Sequence, residues 1–309
     1  MTPVYLLSSA CFASLANFFF RRNLEKGGTS NAFLSLYFFV SLLLSFLFNS
    51  AVIGSPFSPV MAILGCIAGF LNFMMLTLTA KSFELGPPGL TLTFQNASCI
   101  FPGLILCLFF GRSFGFFLTP WLIIGFIFII LGLYLSSRTY GKLSSEIPSE
   151  SSKTHFGKWL LCVIPVMLLQ GLILTLFQWR VLLFSCDENM HWLIPWSCRE
   201  EEDVWFIPAF FLVPTLSQLF LFWKNERRKF SFSEMMYGST AGGLNCVCTV
   251  LLLLATKTEG VMKKEMLFPL FTISVILLCN IWSKKIYNEK VNWIGILFCI
   301  FGVLIGLIQ

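Results

Sequence analysis

The residues of this chain that are best suited to chemistry are uncharged amides set inside long apolar segments. Asn72 ends the stretch GCIAGFLN, and Asn245 ends the similar stretch GSTAGGLN, 173 positions further along. An amide left unpaired in an apolar medium costs several kcal/mol, so each asparagine needs a hydrogen-bonding partner. That partner is either a neighbouring helix or a bound molecule, and the sequence leaves both interpretations open.

A second polar group lies in TLTFQNASCIFPG, where Gln95 and Asn96 are the candidates for contact with a bound molecule. Pro102 follows closely, and a proline frees a backbone carbonyl and interrupts a helix, which favours the lining of a cavity. Asn17 and Gln178 are weaker candidates, because they lie nearer to the ends of their apolar segments.

Several kinds of chemistry lack the residues that they need. No Asp or Glu falls in the centre of an apolar segment, and no P-loop or HExxH motif occurs. The two histidines, His155 and His191, fall in predicted loops. We therefore predict no enzymatic activity, no bound metal and no cofactor.

The composition indicates an integral, multi-pass membrane protein. Of 309 residues 57% are hydrophobic and 12% charged, with a mean hydropathy of +0.82, whereas soluble domains are about a quarter charged. The first apolar segment lacks signal-peptide features, so we interpret it as a retained helix. Ten predicted spans follow from the length needed to cross a bilayer: residues 3–20, 32–53, 59–80, 87–110, 116–137, 159–180, 204–223, 234–256, 265–282 and 292–308.

The basic residues predict an orientation. Of the 21 Lys and Arg, 15 fall on the side of the loops after odd-numbered spans, which places both termini outside the cytoplasm. The net charge of +6 reflects this asymmetry and does not point to nucleic acid. Arg180 is expected to snorkel to the outer interface, with recruitment of anions as the alternative. The acidic stretch 200–203 is expected to be a solvated loop.

A polar, serine-rich segment at 138–158 is expected to be a cytoplasmic linker between residues 1–137 and 159–309. Five spans on each side make the second half enter the membrane inverted relative to the first. The repeated stretch around Asn72 and Asn245 supports this, as does GFIFIILG at 125–132 against GILFCIFG at 295–302. We therefore predict an all-α membrane protein with two inverted five-helix repeats around a central cavity.

These motifs carry a resemblance to a known family. The small-residue third span, the pattern AxxxxLxPxG at 80–89 and the ending from LFPLFTIS onwards resemble EamA-type proteins of the drug/metabolite transporter superfamily. The resemblance implies alternating-access transport of a metabolite. FGRSFG at 110–115 departs from the family's usual GE signature. Relatives that export cationic drugs have a glutamate in the first span, where this chain has Asn17, so proton-coupled drug export is disfavoured.

The function predicted from sequence is secondary transport of a small organic metabolite, which is amino-acid-like, nucleoside-like or cofactor-like. The alternatives are a flippase for lipids or lipid-linked metabolites, and a non-transporting scaffold or receptor. Expected partners are the small molecule and membrane lipids; a monomer suffices, with a homodimer as the alternative. We place the protein in a bacterial inner membrane. Cys186 and Cys198 flank a loop that we place outside the cytoplasm, and the sequence leaves open whether they form a disulfide.

Overall fold

The structure is a computed structural model that describes residues 2–48, 56–110, 119–145, 150–185, 198, 200–257, 267–289 and 291–306. These ranges contain helices and turns but no strand. The helices are α1 Thr2–Glu25, α2 Ser30–Phe48, α3 Pro59–Leu85, α4 Pro88–Ala97, α5 Phe101–Phe110, α6 Pro120–Ser145, α7 Glu150–Ser185, α8 Phe206–Asn225, α9 Phe232–Lys257, α10 Leu267–Tyr287 and α11 Trp293–Gly306. Short 3₁₀ helices cover Ser98–Ile100 and Glu200–Trp205.

The helices confirm the class of protein predicted from composition. Within the described ranges, nine segments are long and apolar enough to cross a membrane, and α11 is a shorter apolar helix. The fourth segment runs through both α4 and α5, so this one span consists of two helices. The chain is an integral, multi-pass membrane protein with helices at the positions of all ten predicted spans.

Helix α3 has one exposed, apolar face and one buried face. On α3 a stripe of Ile63, Ile67, Phe70 and Met74 is 40–61% exposed. These residues recur at helical spacing, and apolar side chains on the outside of a bundle are what a lipid solvent favours. The opposite stripe of α3, which includes Ala68 and Asn72, is buried within the protein.

The chain forms two compact units. Unit 1 comprises Met1–Thr77 and Leu172–Gly260, and unit 2 comprises Leu78–Gly171 and Val261–Gln309. The chain passes from one unit to the other within α3 and within α7. Each unit therefore draws helices from both predicted repeats, and the repeat boundaries themselves remain a prediction.

Most of the polar segment 138–158, which we predict to be a linker, is helical. Helix α6 continues to Ser145 and α7 begins at Glu150, which leaves 146–149 outside the described residues. An existing helix extends easily because each added residue avoids the unfavourable nucleation step. The polar residues therefore lengthen two membrane helices beyond the apolar part of the sequence.

In unit 1, two pairs of glycines bring helix backbones together. A Cβ atom placed on Gly65 would lie 2.6 Å from the Phe206 carbonyl oxygen, and one on Gly69 would collide with that of Phe210. Small residues allow such contact where lipid gives helices no hydrophobic drive to associate. We call this contact of α3 with α8 the first crossing.

The second crossing joins α9 to α2 with the same spacing. A Cβ on Gly238 would lie 3.0 Å from the Phe33 carbonyl oxygen, and one on Gly242 would collide with that of Tyr37. Every residue of the first crossing has a counterpart here, 173 positions away. Gly65 and Gly69 of the first crossing come before their counterparts in the chain. The residues that they contact, Phe206 and Phe210, come after their counterparts, Phe33 and Tyr37.

Unit 2 shows a similar exchange between α6 and α11. Cβ atoms built on Gly302 and Gly295 would lie 2.6 and 2.8 Å from the carbonyl oxygens of Gly125 and Gly132 respectively. Because Gly125 aligns with Gly295 and Gly132 with Gly302 in the repeated motif, each contact is the image of the other.

Candidate functional site

Asn245, on α9, is joined to the neighbouring helix of the second crossing. Its side-chain NH₂ donates to the Ser41 hydroxyl of α2 across 3.4 Å. That hydroxyl lies 2.8 Å from the carbonyl oxygens of both Tyr37 and Gly242, so it links the two backbones. The interhelical hydrogen bond that the sequence left open is therefore present at Asn245.

Asn72 occupies the matching place in the first crossing but lacks the matching partner. The residue is only 7% exposed and lies on the face of α3 opposite the exposed apolar stripe. No hydrogen bond joins it to any residue that the structure describes. The counterpart of Ser41 is Pro214 of α8, whose Cδ would lie 3.1 Å from a Cβ on Gly69. A proline has no hydroxyl to offer, so the bond seen at Asn245 has no equivalent here.

Unit 1 also contains the amides of Gln218, Asn17 and Gln178. Gln218 of α8 is fully buried, and its NH₂ donates to the Asn31 side chain across 3.2 Å. The Ser35 hydroxyl of α2 donates to the Gln218 backbone carbonyl across 3.1 Å, so this position fastens α8 to α2. Asn17 and Gln178, the two weaker predicted sites, are half-buried.

Gln95 and Asn96 lie in unit 2, at the end of α4, where the fourth span is interrupted. From Thr91 to Ala97 every side chain of α4 is buried. A 3₁₀ turn at Ser98–Ile100 follows, and α5 begins with Phe101. Pro102 has no N–H with which to continue the α-helical pattern towards the Ser98 carbonyl, which explains the break. The interruption predicted from Pro102 is confirmed.

Local hydrogen bonds satisfy the polar groups at this break. The Asn96 side chain donates to the Leu92 carbonyl across 2.8 Å, and the Ser98 hydroxyl donates to the Gln95 carbonyl across 2.7 Å. The Thr79 hydroxyl of α3 donates to the side-chain oxygen of Gln95 across 3.4 Å. The side chains of both predicted site residues thus form hydrogen bonds within the protein.

Further bonds attach α4 to its neighbours. The indole N–H of Trp159 donates to the Thr91 hydroxyl across 3.0 Å, and the Asn280 amide of α10 donates to the Thr93 hydroxyl across 2.9 Å. Sequence reasoning missed Asn280, although the signal that singled out Asn72, an amide within an apolar run, was present in ILLCNIW. Three side chains of α4, those of Thr91, Thr93 and Gln95, therefore form hydrogen bonds with side chains of other helices.

The structure corrects the prediction for Arg180. Instead of snorkelling to an interface, its side chain is fully buried, and Nη1 lies 3.0 Å from both carboxylate oxygens of Asp203. Nη2 donates to the Thr256 hydroxyl across 3.2 Å, and the guanidinium lies 5.2 Å from the Phe206 ring centre. A partner of opposite charge, supplied from the 3₁₀ helix before α8, makes burial tolerable.

The same contact corrects the prediction for the acidic stretch 200–203. Glu201 is exposed as expected, but the stretch forms a 3₁₀ helix and Asp203 is only 6% exposed. Cys198 is buried beside this segment, where burial raises the pKa of its thiol. Cys186 lies outside the described residues, so the question of a disulfide stays open. Within the described ranges no three His, Cys, Asp or Glu side chains group as a metal site.

Comparisons with known proteins identify the fold but not a family. No protein-family model and no curated protein matches the sequence. A solved structure described only as "Crystal structure of protein" has a TM-score of 0.60 and 11% sequence identity to this chain. The match covers 99% of this chain and 96% of the other. At this identity the likeness shows a shared fold over the whole chain and says nothing about activity.

Proposed function

We propose that this protein is a secondary transporter that moves a small, polar organic metabolite across the membrane by alternating access. The observation that carries the proposal is the broken fourth span, α4 and α5, with its buried and uncharged polar side chains. Membrane helices that are interrupted at mid-span are typical of substrate sites in secondary transporters. A span used only for packing has no need of an interruption or of two adjacent amides.

The proposal includes two inverted repeats, and the glycine contacts support them. In unit 1 the first crossing becomes the second when the two halves of the sequence are exchanged, and in unit 2 the contacts between α6 and α11 behave in the same way. Reciprocal contacts of this kind are expected when two copies of one helical motif are related by a two-fold axis. The resemblance to EamA-type transporters agrees with this arrangement.

The side chains favour a cargo recognised through hydrogen bonds. Amides and hydroxyls at the break both donate and accept, which suits uncharged or zwitterionic metabolites. Arg180 is neutralised by Asp203, so its recruitment of an anion loses its basis. An amino-acid-like, nucleoside-like or cofactor-like cargo therefore stays in the proposal, together with the bacterial inner membrane as its location.

Counterflow in proteoliposomes tests this proposal. Vesicles are preloaded with one pool of unlabelled metabolites at a time and then given trace amounts of the labelled compounds. We expect the wild-type protein to accumulate label from at least one pool, and Gln95→Leu, which keeps the side chain's bulk, to lose most of that accumulation. Lys229→Ala, at an exposed position after α8, serves as the matched control.

The outcomes separate the alternatives. Accumulation by the wild type and the Lys229 variant, but not by the Gln95 variant, supports transport through the broken span. If no soluble pool drives accumulation by folded wild-type protein, the metabolite-carrier proposal is overturned. The same vesicles, loaded with a fluorescent lipid, then show whether the protein moves lipid between leaflets. Absence of both activities leaves a scaffold or receptor.

A further inference from the structure

The two crossings of unit 1 differ at one informative position. Their glycines contact carbonyl oxygens with equal spacing, and each crossing has an asparagine three residues after its second glycine. The facing helix, however, carries Ser41 in the second crossing and Pro214 in the first. Because the surroundings correspond, the contrast between a hydroxyl and a proline isolates what a local partner does to the asparagine.

The hydroxyl commits Asn245 to the protein. Its NH₂ donates to Ser41, and Ser41 in turn bonds one carbonyl on each helix. To turn Asn245 towards a bound molecule would break a hydrogen bond across the crossing. The sequence repeats the amide, but this copy already has a structural role.

The proline leaves Asn72 uncommitted. The residue is only 7% exposed and lies on the face of α3 opposite the exposed apolar stripe, yet its side chain bonds none of the residues that the structure describes. An amide in a largely buried residue with no protein partner gains free energy from any partner that reaches it. Within the described residues, the Asn72 amide is not among the fully enclosed side-chain groups that lack a partner, so a polar group can contact it.

We propose that the two asparagines have divided the roles: Asn72 binds the cargo, and Asn245 holds the second crossing together. This inference rests on the proposed function, and it names one of the residues that give that function its specificity. Asn72 would provide a donor and an acceptor side by side, and no charge. The group that it recognises has the complementary pair, as a carboxamide or a cyclic amide does.

Exchanging the two environments tests the inference more sharply than removing the amides does. Pro214→Ser gives the first crossing the hydroxyl that the second crossing has, and it leaves Asn72 in place. Pro214→Ala is the matched control, because it restores the same backbone N–H without adding a hydroxyl. Asn72→Ala and Asn245→Ala complete the set.

The measurement is the melting temperature of each purified variant, with and without each pool of water-soluble metabolites used for counterflow. A pool that raises the melting temperature of the wild type is titrated to give an apparent Kd. We expect that Kd to weaken about tenfold or more in Asn72→Ala and Pro214→Ser, which is the loss of one good hydrogen bond. It should stay within about threefold of wild type in Pro214→Ala and Asn245→Ala.

Stability without ligand should divide the variants differently. Asn245→Ala should melt below the wild type, because it loses a bond across the crossing. Asn72→Ala should melt at or above the wild type, because it loses an amide that had no partner. If Asn72→Ala cannot be purified in a folded state, Pro214→Ser compared with Pro214→Ala decides the question.

The inference and the proposed function fail in different ways. A wild-type protein that no pool stabilises overturns the proposed function and the inference with it. A wild-type protein that binds a pool, with Asn72→Ala and Pro214→Ser binding it equally well, overturns the inference alone. So does an equal loss of binding in Asn245→Ala when that variant is as stable as the wild type.

Discussion

Helices α8 and α9 carry a cluster of charges at each end, and the two clusters differ in their access to water. Arg180 and Asp203 form the sealed pair, where α8 begins and α9 ends, and Thr256 bonds its arginine. Thr29, Glu226, Arg228 and Glu234 form the open network, where α8 ends and α9 begins. Both clusters contain one arginine bonded to carboxylate, so the contrast lies in the surroundings.

The side chains of the sealed pair have almost no contact with solvent. That of Arg180 is 1% exposed and that of Asp203 is 7% exposed. In such surroundings the removal of either partner leaves a charge that water cannot reach. The pair is therefore obligatory once one member is present, although two apolar residues would serve stability equally well.

The open network also contains an arginine–carboxylate ion pair, but its arginine is exposed to water. Arg228 is 38% exposed, and its two terminal nitrogens lie 2.6 and 2.8 Å from the two carboxylate oxygens of Glu234. The Glu234 carboxylate, which is buried, also accepts the backbone N–H groups of Thr29 and Ser231, each at 2.9 Å. Hydrogen bonding to Glu234 raises the pKa of Arg228. Water can solvate the exposed arginine, whereas Glu234 depends on its protein donors.

The comparison teaches that a membrane helix pair can fasten its two ends by different physics. In the sealed pair, two opposite charges neutralise each other out of contact with water. In the open network, the Glu234 carboxylate accepts hydrogen bonds from several donors. The predicted orientation places the open network on the cytoplasmic side and the sealed pair outside. Three variants, in order of expected effect, test the difference.

The largest effect is expected from Arg180→Met. This change leaves Asp203 charged and buried, which should reduce the free energy of unfolding by about 3–5 kcal/mol. Titration of the folded fraction with a denaturing detergent measures the loss. The double variant Arg180→Met/Asp203→Leu should recover most of the lost stability, because no charge is then left unpaired. A double variant no more stable than the single one would show that water reaches this end.

A smaller loss is expected from Glu234→Gln, which keeps the size of the side chain but removes its charge. The network loses its charge-assisted bonds, while one amide oxygen can still accept a backbone N–H. We expect a loss of about 1–3 kcal/mol in the free energy of unfolding, measured in the same detergent titration. Glu25→Gln, in an exposed ion pair on α1, is the control and should change stability little. An equal loss in both variants would mean that Glu234 stabilises the protein no more than a surface ion pair does.

The contrast between the two clusters also marks the limit of the sequence analysis. Apolar runs predicted the spans well, because the length of a helix that crosses lipid depends on local composition alone. The burial of Arg180 depends on Asp203, which is 23 positions away, on the 3₁₀ helix before α8. No helical periodicity spans that separation, so the sequence did not show that the two residues pair. Arg180 was therefore predicted to lie at the interface, and the acidic stretch to be a solvated loop.

The candidate site shows the same limit. The repeated glycines and asparagines marked the two crossings in advance, and Pro102 marked the break in the fourth span. What could not be predicted was which helix each glycine pair would contact. The fate of each asparagine follows from that choice, since Ser41 and Pro214 lie on the facing helices and not in the repeated motif. A motif identifies a face of a helix, and only the fold supplies its partner.

The smallest effect, and the most direct test of the comparison, is expected from Arg228→Gln. Water can replace an arginine that is more than a third exposed, and Glu234 keeps its two backbone donors, so the loss should be about 1 kcal/mol or less. Salt should reduce even this loss, because mobile ions screen exposed charges over roughly 10 Å at 0.1 M and roughly 3 Å at 1 M. The loss in Arg180→Met should not change with salt, since ions cannot enter the sealed pair. Detergent titrations of both variants at low and high salt measure this, and equal salt dependence would show that the two ends do not differ in their access to water.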